Sequence, residues 1–377
     1  MDTIRFDDFI KLNRGFDLPD SQIEAGEYPV VASTNIKAYH KAYKVEGPMV
    51  VTGRSGSLGK VQYIEGRCWP LNTSLYVKDF KGNNPRYVYY YLKTMHLEQY
   101  NAGVGVPTLN QNHLHSLKIC IHNKEEQPRV ASILSAYDNL IENNTHRIRL
   151  LEQMAENIYK EWFVRFRFPG HENAEFENGL PKGWKTIKIS DAYNTCSGGT
   201  PNRQKSEYYN NGTIAWVKTG EIQDSFIYST EEMITENGLK HSSAKLLPQG
   251  TLLMAMYGVN IGKLGFITQE MACNQAACAF LDKGDKPTLN YLFYFLKSIR
   301  DYLLSIGFGA AQQNISQALI KSIKMVMPTD GILNKFHLLT KPIFEQIVFI
   351  QRQSDLLARQ RDLLLPRLMS GNLEVKG

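Results

Sequence analysis

Two turns in this chain place glycines beside a lysine. The first reads VTGRSGSLGKV over residues 51–61 and the second MYGVNIGKL over 256–264. Glycines and a lysine behind an apolar run could cradle nucleotide phosphates, so NTP hydrolysis is the first chemistry to test. A phosphate loop needs four residues between its first glycine and the Gly-Lys pair, then Ser or Thr for magnesium. Here five residues separate Gly53 from Gly59, and Val61 follows Lys60, so the match fails at both points. Cys68, Cys120, Cys196, Cys273 and Cys278 form no CxxC pair. An odd, scattered set argues against a disulfide framework and a zinc site, and the thiols are expected to be reduced and mostly buried. His113 and His115 flank Leu114 in a possible strand, but no acidic or thiol partner stands at useful spacing. The sequence offers no metal site and no catalytic constellation.

The two turns belong to a longer echo. WPLNTSLYV after Arg67 matches MACNQAACAF after Glu270, and PRYVYYYLKTM from Pro85 matches TLNYLFYFLKSI from Thr288. AGVGVPTLNQNHL from Ala102 matches IGFGAAQQNISQAL from Ile306, and SLKICI from Ser116 matches SIKMVM from Ser322. Similarities that keep their order at an offset of about 200 residues indicate an internal duplication. Within each copy, runs such as 28–32, 49–52, 75–77, 213–217 and 251–254 read as short strands between Gly, Asn and Pro clusters. The aromatic segments 87–93 and 291–297 are helical in period and are expected to pack a core rather than stack bases.

Each copy ends in a long helical pattern. After Gln127-Pro128, Ile133, Tyr137, Leu140, Ile148, Leu151, Ala155, Ile158 and Trp162 recur at steps of three and four, interrupted by polar Asn144. A helix of roughly 40 residues would reach about 60 Å. The second pattern is expected to start behind Pro342 and runs through Ile347, Ile350, Ser354, Leu357, Arg361, Leu364 and Leu368 to Gly371. Neither helix can hide its stripe unaided, so the two are expected to pack on each other, with Asn144, Ser354 and Arg361 setting register. The 377 residues suit two or three domains, and the net charge of +6 allows a polyanionic partner without requiring one. The start MDTIRFDDFI lacks the features of a signal peptide and no apolar run reaches membrane-spanning length, so a cytoplasmic protein without membrane contact is expected. Two similar units on a rigid spacer suit the reading of two places on a regular polymer such as duplex DNA.

Several long stretches stand in a telling order: QPRVASILSAYDNLIENNTHRIRLLEQMAENIYKEWF (127–163), LPKGW (180–184), SGGTPNRQKSEYYNNGTIAWVKTGEI (197–222), LPQGTLLMAMYGVNIGK (247–263), GAAQQNISQALIKSIKMVMP (309–328) and LLARQRDLLLPRLMSGNLEV (356–375). On these the chain resembles the specificity subunit of type I restriction-modification enzymes over nearly its whole length. One departure is RGFDLP from Arg14, which stands where SGGTP stands in the second copy. The resemblance implies an α+β fold with an internal pseudo-twofold repeat: two target-recognition domains separated by a long antiparallel pair of coiled-coil-like helices. The expected boundaries are 1–122 for the first recognition domain, 123–167 for the first helix, 168–180 for a linker, 181–329 for the second recognition domain, and 330–377 for the second helix and tail. It further implies a split asymmetric target in double-stranded DNA, one half per domain, with the helices fixing the number of unread bases between halves. Two modification subunits, which bind S-adenosylmethionine and methylate adenine, would dock on the helices. Restriction subunits using ATP and magnesium would join for cleavage. No Asn-Pro-Pro-aromatic run is present, so this chain is expected to be non-catalytic and to hold no cofactor itself. A coiled-coil adaptor that binds proteins is the competing reading.

Phosphates want Lys, Arg, hydroxyls and backbone N–H groups, whereas base edges want bidentate Arg, Lys, Asn or Gln. In the first copy these types gather at Arg14, Arg54, Ser55, Ser57 and Lys60, then at Thr108, Asn110, Gln111 and Asn112. In the second they gather at Thr200, Asn202, Arg203, Lys205 and Lys218, at Tyr257, Asn260 and Lys263, and at Gln312, Gln313 and Asn314. For partner docking, the outer helix faces offer Leu150, Met154 and Phe163 on the first helix, with Leu356 and Leu363 on the second.

Overall fold

A computed structural model of the chain describes residues 1–284, 288–307, 314–373 and 375. The chain forms two compact units, Met1–Thr145 with Arg352–Gly377, and His146–Gln351. Each long helix is therefore shared, contributing one part to each unit.

In the first unit the strands Lys11–Arg14, Ser74–Asp79, Met49–Gly53 and Val61–Ile64 form an antiparallel sheet in that order. Ile36–His40, Ala25–Val31 and Trp69–Pro70 form a second sheet, its last pair parallel. Asp2–Arg5 pairs with Lys118–Ile121. The second unit repeats this plan. Its main sheet runs Tyr193–Ser197, Ala277–Asp282, Leu252–Ala255, Leu264–Ile267, and then adds Ser225–Ile227 in parallel. Met233–Ile234, Ile214–Val217 and Ala272–Cys273 form its small sheet, again with a parallel last pair, and Lys185–Lys188 pairs with Lys324–Met327. Met49–Gly53 and Leu252–Ala255, the strands that lead into the two glycine turns, are buried at every residue, which fits their uninterrupted small and apolar runs.

The aromatic segments are core helices. Asn84 caps Pro85–Thr94 by accepting from the Tyr87 N–H, and proline at the first helical position costs no bond. Tyr87, Val88, Tyr90 and Leu92 then join Phe6 and Phe9, closed over by Val130, Ala131 and Leu134 of one long helix and Leu365, Leu368 and Met369 of the other. In the second unit, Leu289–Ser298 buries Tyr291, Phe293 and Tyr294 against Ala155, Tyr159, Phe336, Ile343, Phe344 and Ile347.

The first long helix spans Gln127–Tyr159 and continues through a wider π turn, Lys160–Val164. The second, Asp330–Met369, begins before the apolar pattern read behind Pro342 and carries that proline in its interior. The apolar rhythm Leu333, Phe336, Ile343, Phe344 crosses the proline and is buried in the core. That burial outweighs a backbone bond lost at a cost of about 3 kcal/mol. Within the first unit Asn144 Nδ2 donates to Gln353 Oε1 at 3.1 Å, and the Arg361 guanidinium pairs with Asp138, so the helices run antiparallel. Asn144 is buried while Leu140 faces outward, which narrows the expected seam. Residues 113 and 115 are not in a strand: they lie on the helix Gln111–Ser116, where buried His115 accepts the Leu12 N–H through Nε2 at 3.0 Å. No helix among the described residues is long and apolar enough to cross a membrane.

Candidate nucleic-acid interface

Each glycine turn follows a buried strand, and its two flanking glycines lie in the left-handed region. Gly56 and Gly59 have φ of 85° and 87°, Gly258 and Gly262 of 77° and 76°. Any side chain would be strained there, so the residues between them are presented by a backbone shape that glycine makes possible. In both units the start of the turn bridges to the second candidate loop. Ser55 pairs with Thr108, with Leu109 N donating to Arg54 O at 2.8 Å; Tyr257 pairs with Asn314, with Ile315 N donating to Met256 O at 3.0 Å. Segments about 50 residues apart in sequence are thus joined by backbone bonds in each copy.

The third piece is the crossing near the start of each copy. A Cβ at Gly15 would meet the Leu71 carbonyl oxygen at 2.2 Å, and one at Gly198 the Cys273 oxygen at 1.9 Å. The glycines of RGFDLP and SGGTP therefore occupy the same tight contact, although the sequences around them differ.

Around these frames the candidates fall into distinct groups. In the first unit Ser57, Lys60 and Asn112 are exposed, and Arg54, Ser55, Thr108 and Gln111 are half-buried. Arg14 lies 3.6 Å from Asp17, and Asn110 is occupied as a helix cap, accepting from Asn112 N at 2.9 Å. In the second unit exposed Arg203 stacks over Tyr209 and Trp216 at 4.6 and 4.9 Å and bonds Glu232. Lys218 Nζ holds Glu231 at 2.7 Å and Glu232 at 3.1 Å, bonds that raise its pKa, while Arg203 is the first cause holding Glu232 below the usual carboxylate range. A phosphate reaching Lys218 or Arg203 must replace these carboxylates. Lys205 donates to Tyr208 Oη at 3.1 Å, Thr200 bonds Gln275, Lys263 bonds Gln223, and Asn202 accepts from Gln204 N at 3.0 Å. Tyr257 and Asn314 are exposed; Gln312 and Gln313 lie outside the described residues.

Two expectations give way. Asn260 is buried and its amide donates to the Thr219 carbonyl at 3.0 Å, so it braces the turn from inside rather than facing a ligand. Phe163 is also buried, with ring centroids 4.7 Å from Tyr291 and 5.0 Å from Phe336, so it belongs to the core rather than to an outer face. The π turn that carries Phe163 rotates the helical rhythm by a fraction of a turn, which periodicity could not anticipate. Leu150, Met154, Leu356 and Leu363 are exposed, and the first two border a shallow groove with Ile158 and Trp162. Sequence reasoning missed Phe349, 68% exposed on the second helix, and the tip residues Val104 and Val259, both fully exposed. Their signal was an apolar residue in a glycine-flanked turn or off the seam.

Burial pushes the Cys68 and Cys273 thiols up to about 12, which keeps them protonated and poorly nucleophilic at neutral pH. Among the described residues no group of three or more His, Cys, Asp or Glu could hold a metal ion.

The chain thus carries two copies of one α+β unit, each with polar, glycine-shaped loops, and a pair of long antiparallel helices. The chain belongs to the type I restriction modification DNA specificity domain family, whose model matches residues 1–153 and again 181–335. It is thus a non-catalytic, DNA-binding specificity subunit of a type I restriction-modification complex. It is 30% identical over 356 residues to the type I restriction enzyme MjaIX specificity subunit of Methanocaldococcus jannaschii, covering 88% of this chain and 78% of that protein. It is 23% identical over 396 residues to the EcoR124I/EcoR124II specificity subunit of Escherichia coli, covering 92% and 93%. In fold it resembles the type I restriction-modification S subunit from M. genitalium, with a TM-score of 0.67 at 15% identity over 100% of this chain and 96% of that one.

Proposed function

We propose that this subunit reads a split, asymmetric sequence in double-stranded DNA, one half with each unit. The observation that carries the reading is the repeated meeting of the glycine turn with the second loop, Ser55 with Thr108 and Tyr257 with Asn314. Two equivalent loop pairs with different side chains suit two half-sites of different sequence. Lys60 and Lys263 serve as phosphate contacts, and Arg54, Gln111, Asn112, Arg203 and Asn314 as readers of base edges or backbone. The helix pair sets the number of unread bases between the halves.

Two modification subunits dock on the exposed apolar positions of the helices, Leu150 and Met154 on the first and Leu356 and Leu363 on the second. Those partners supply S-adenosylmethionine and adenine methylation; restriction subunits supply ATP- and magnesium-dependent cleavage. Apolar residues at 50%, 52%, 58% and 72% exposure on the two helices support this docking.

The test combines the chain with its modification subunit and a pool of random duplexes, then maps the methylated adenines. A motif in two parts with a fixed gap is expected. Methylation without a sequence preference would sink the reading in favour of a protein-binding adaptor.

A further inference from the structure

We infer that Arg300 is a positioning residue for the recognition turn of the second unit, presetting its shape through Asp224 and the Gly262 carbonyl. The inference rests on the DNA-reading function proposed above. Arg300 Nη1 donates to Asp224 Oδ2 at 2.9 Å, Nη2 bonds Asp224 Oδ1, and Nε donates to Gly262 O at 3.0 Å. The two side chains are 24% and 26% exposed, so the fork is partly shielded from water. Asp224, itself at φ 61°, also accepts the Leu264 N–H through Oδ1 at 3.0 Å. The arginine stem packs on the turn as well: a Cβ at Gly262 would meet Arg300 Cγ at 3.3 Å.

Together with the bond from Asn260 to Thr219, the turn is tied at positions 260, 262 and 264. What these ties hold out is Val259, 99% exposed at the tip. A loop fixed before binding loses less conformational entropy on meeting its ligand, and an apolar tip in a groove suits contact with a thymine methyl. The first unit has no arginine at this place: a Cβ at Gly59 would meet the Glu98 carboxylate at 2.5 Å, and Glu98 belongs to the short turn Leu97–Tyr100. Lysine cannot substitute for Arg300, because a single ammonium cannot span both carboxylate oxygens and the carbonyl.

The experiment compares wild type, Arg300→Lys and Asp224→Asn, each assembled with the modification subunit, on duplex libraries randomised in one target half at a time. Arg300→Lys keeps the charge and stem, so it guards against loss of folding, and a thermal melt of each assembly confirms that it is folded. The expected result is a roughly 10-fold fall in base discrimination at one half only, with the other half unchanged and the salt slope of DNA affinity unaltered. Unchanged discrimination overturns the inference. Equal loss at both halves overturns it too, since that marks a general structural role. A salt slope reduced by about one would make Arg300 a phosphate contact instead. If wild type shows no two-part preference, the functional reading has failed and not this assignment.

Discussion

The two units share their sheets, their glycine turns and their tight crossing, yet they hold the glycine turn by different means. In the second unit the edge strand Leu264–Ile267 is covered by Ser225–Ile227, and the residue just before that added strand, Asp224, takes part in the fork with Arg300. In the first unit the equivalent edge, Val61–Ile64, meets side chains: Arg86 stacks over Tyr63 at 4.7 Å, and Tyr89 lies 5.8 Å from the same ring. The difference teaches that the duplicated part is the scaffold that brings the loops together. The fixing of each loop was left to local residues, which is where two copies of one unit can diverge.

The largest effect should come from what the units share. Gly15→Ala and Gly198→Ala each drive a methyl into a backbone carbonyl that cannot yield. Each should cost about 3 kcal/mol by urea denaturation, and a clear inequality would break the equivalence of the two crossings. Next come the contacts between each aromatic helix and the long helices. Tyr90 Oη donates to Asp138 at 2.5 Å beside Arg361, whose side chain is 17% exposed, so Arg361→Ala leaves a carboxylate short of a partner and should cost about 2 kcal/mol. In the second unit the aromatic helix reaches its long helix through Lys297, 32% exposed, which holds Glu156 at 2.7 Å, and Lys297→Ala should cost only about 1 kcal/mol. Equal losses would mean that the two seats are equally stiff.

A smaller contrast concerns DNA. Lys60→Ala and Lys263→Ala should each lower the slope of log affinity against log salt by about one. The larger loss of affinity is expected at Lys60, which is exposed, than at Lys263, which is half-buried and bonded to Gln223. The smallest effect is one of pH. Burial holds the His115 imidazole below its ordinary 6.5, so the unfolded chain takes up a proton more readily than the folded one. The stabilisation is present above that ordinary value and fades as pH falls below it. His115→Gln, which keeps an acceptor for Leu12 N, should remove a part of the first unit's acid sensitivity, read as a shallower fall of urea-denaturation stability below the ordinary imidazole range. The second unit has exposed Lys321 at the matching helix position and should show no such contribution there.

The duplication was the most legible feature, because five echoes kept their order and the strands and helices beneath them are paired alike. The helical seam was legible too, since Asn144 and Arg361, two of the three polar residues read along with Ser354 as interrupting it, bond across it. What stayed hidden depended on contacts distant in sequence. Ser225–Ile227 is three residues long and has no echo, so only its pairing partner reveals it. Pro342 reads as a helix start until the buried Phe336 and Leu333 upstream are known. Asn260 carries the residue type of a base reader, and its burial follows from the Thr219 carbonyl 41 positions away. Side-chain chemistry nominated the loops as a place where polar groups gather, but not which groups were already engaged with Glu232, Gln223 or Gln275.

The sharing of the long helices also sets an order of events during synthesis. The core of the first unit is closed by Leu365, Leu368 and Met369, which leave the ribosome more than 200 residues after Leu134, the neighbour they cover. The second unit, His146–Gln351, has by then emerged in full. The part of the protein made first is therefore finished last. Until its final helical turns appear, its apolar floor stays open to water and to any chaperone that patrols nascent chains.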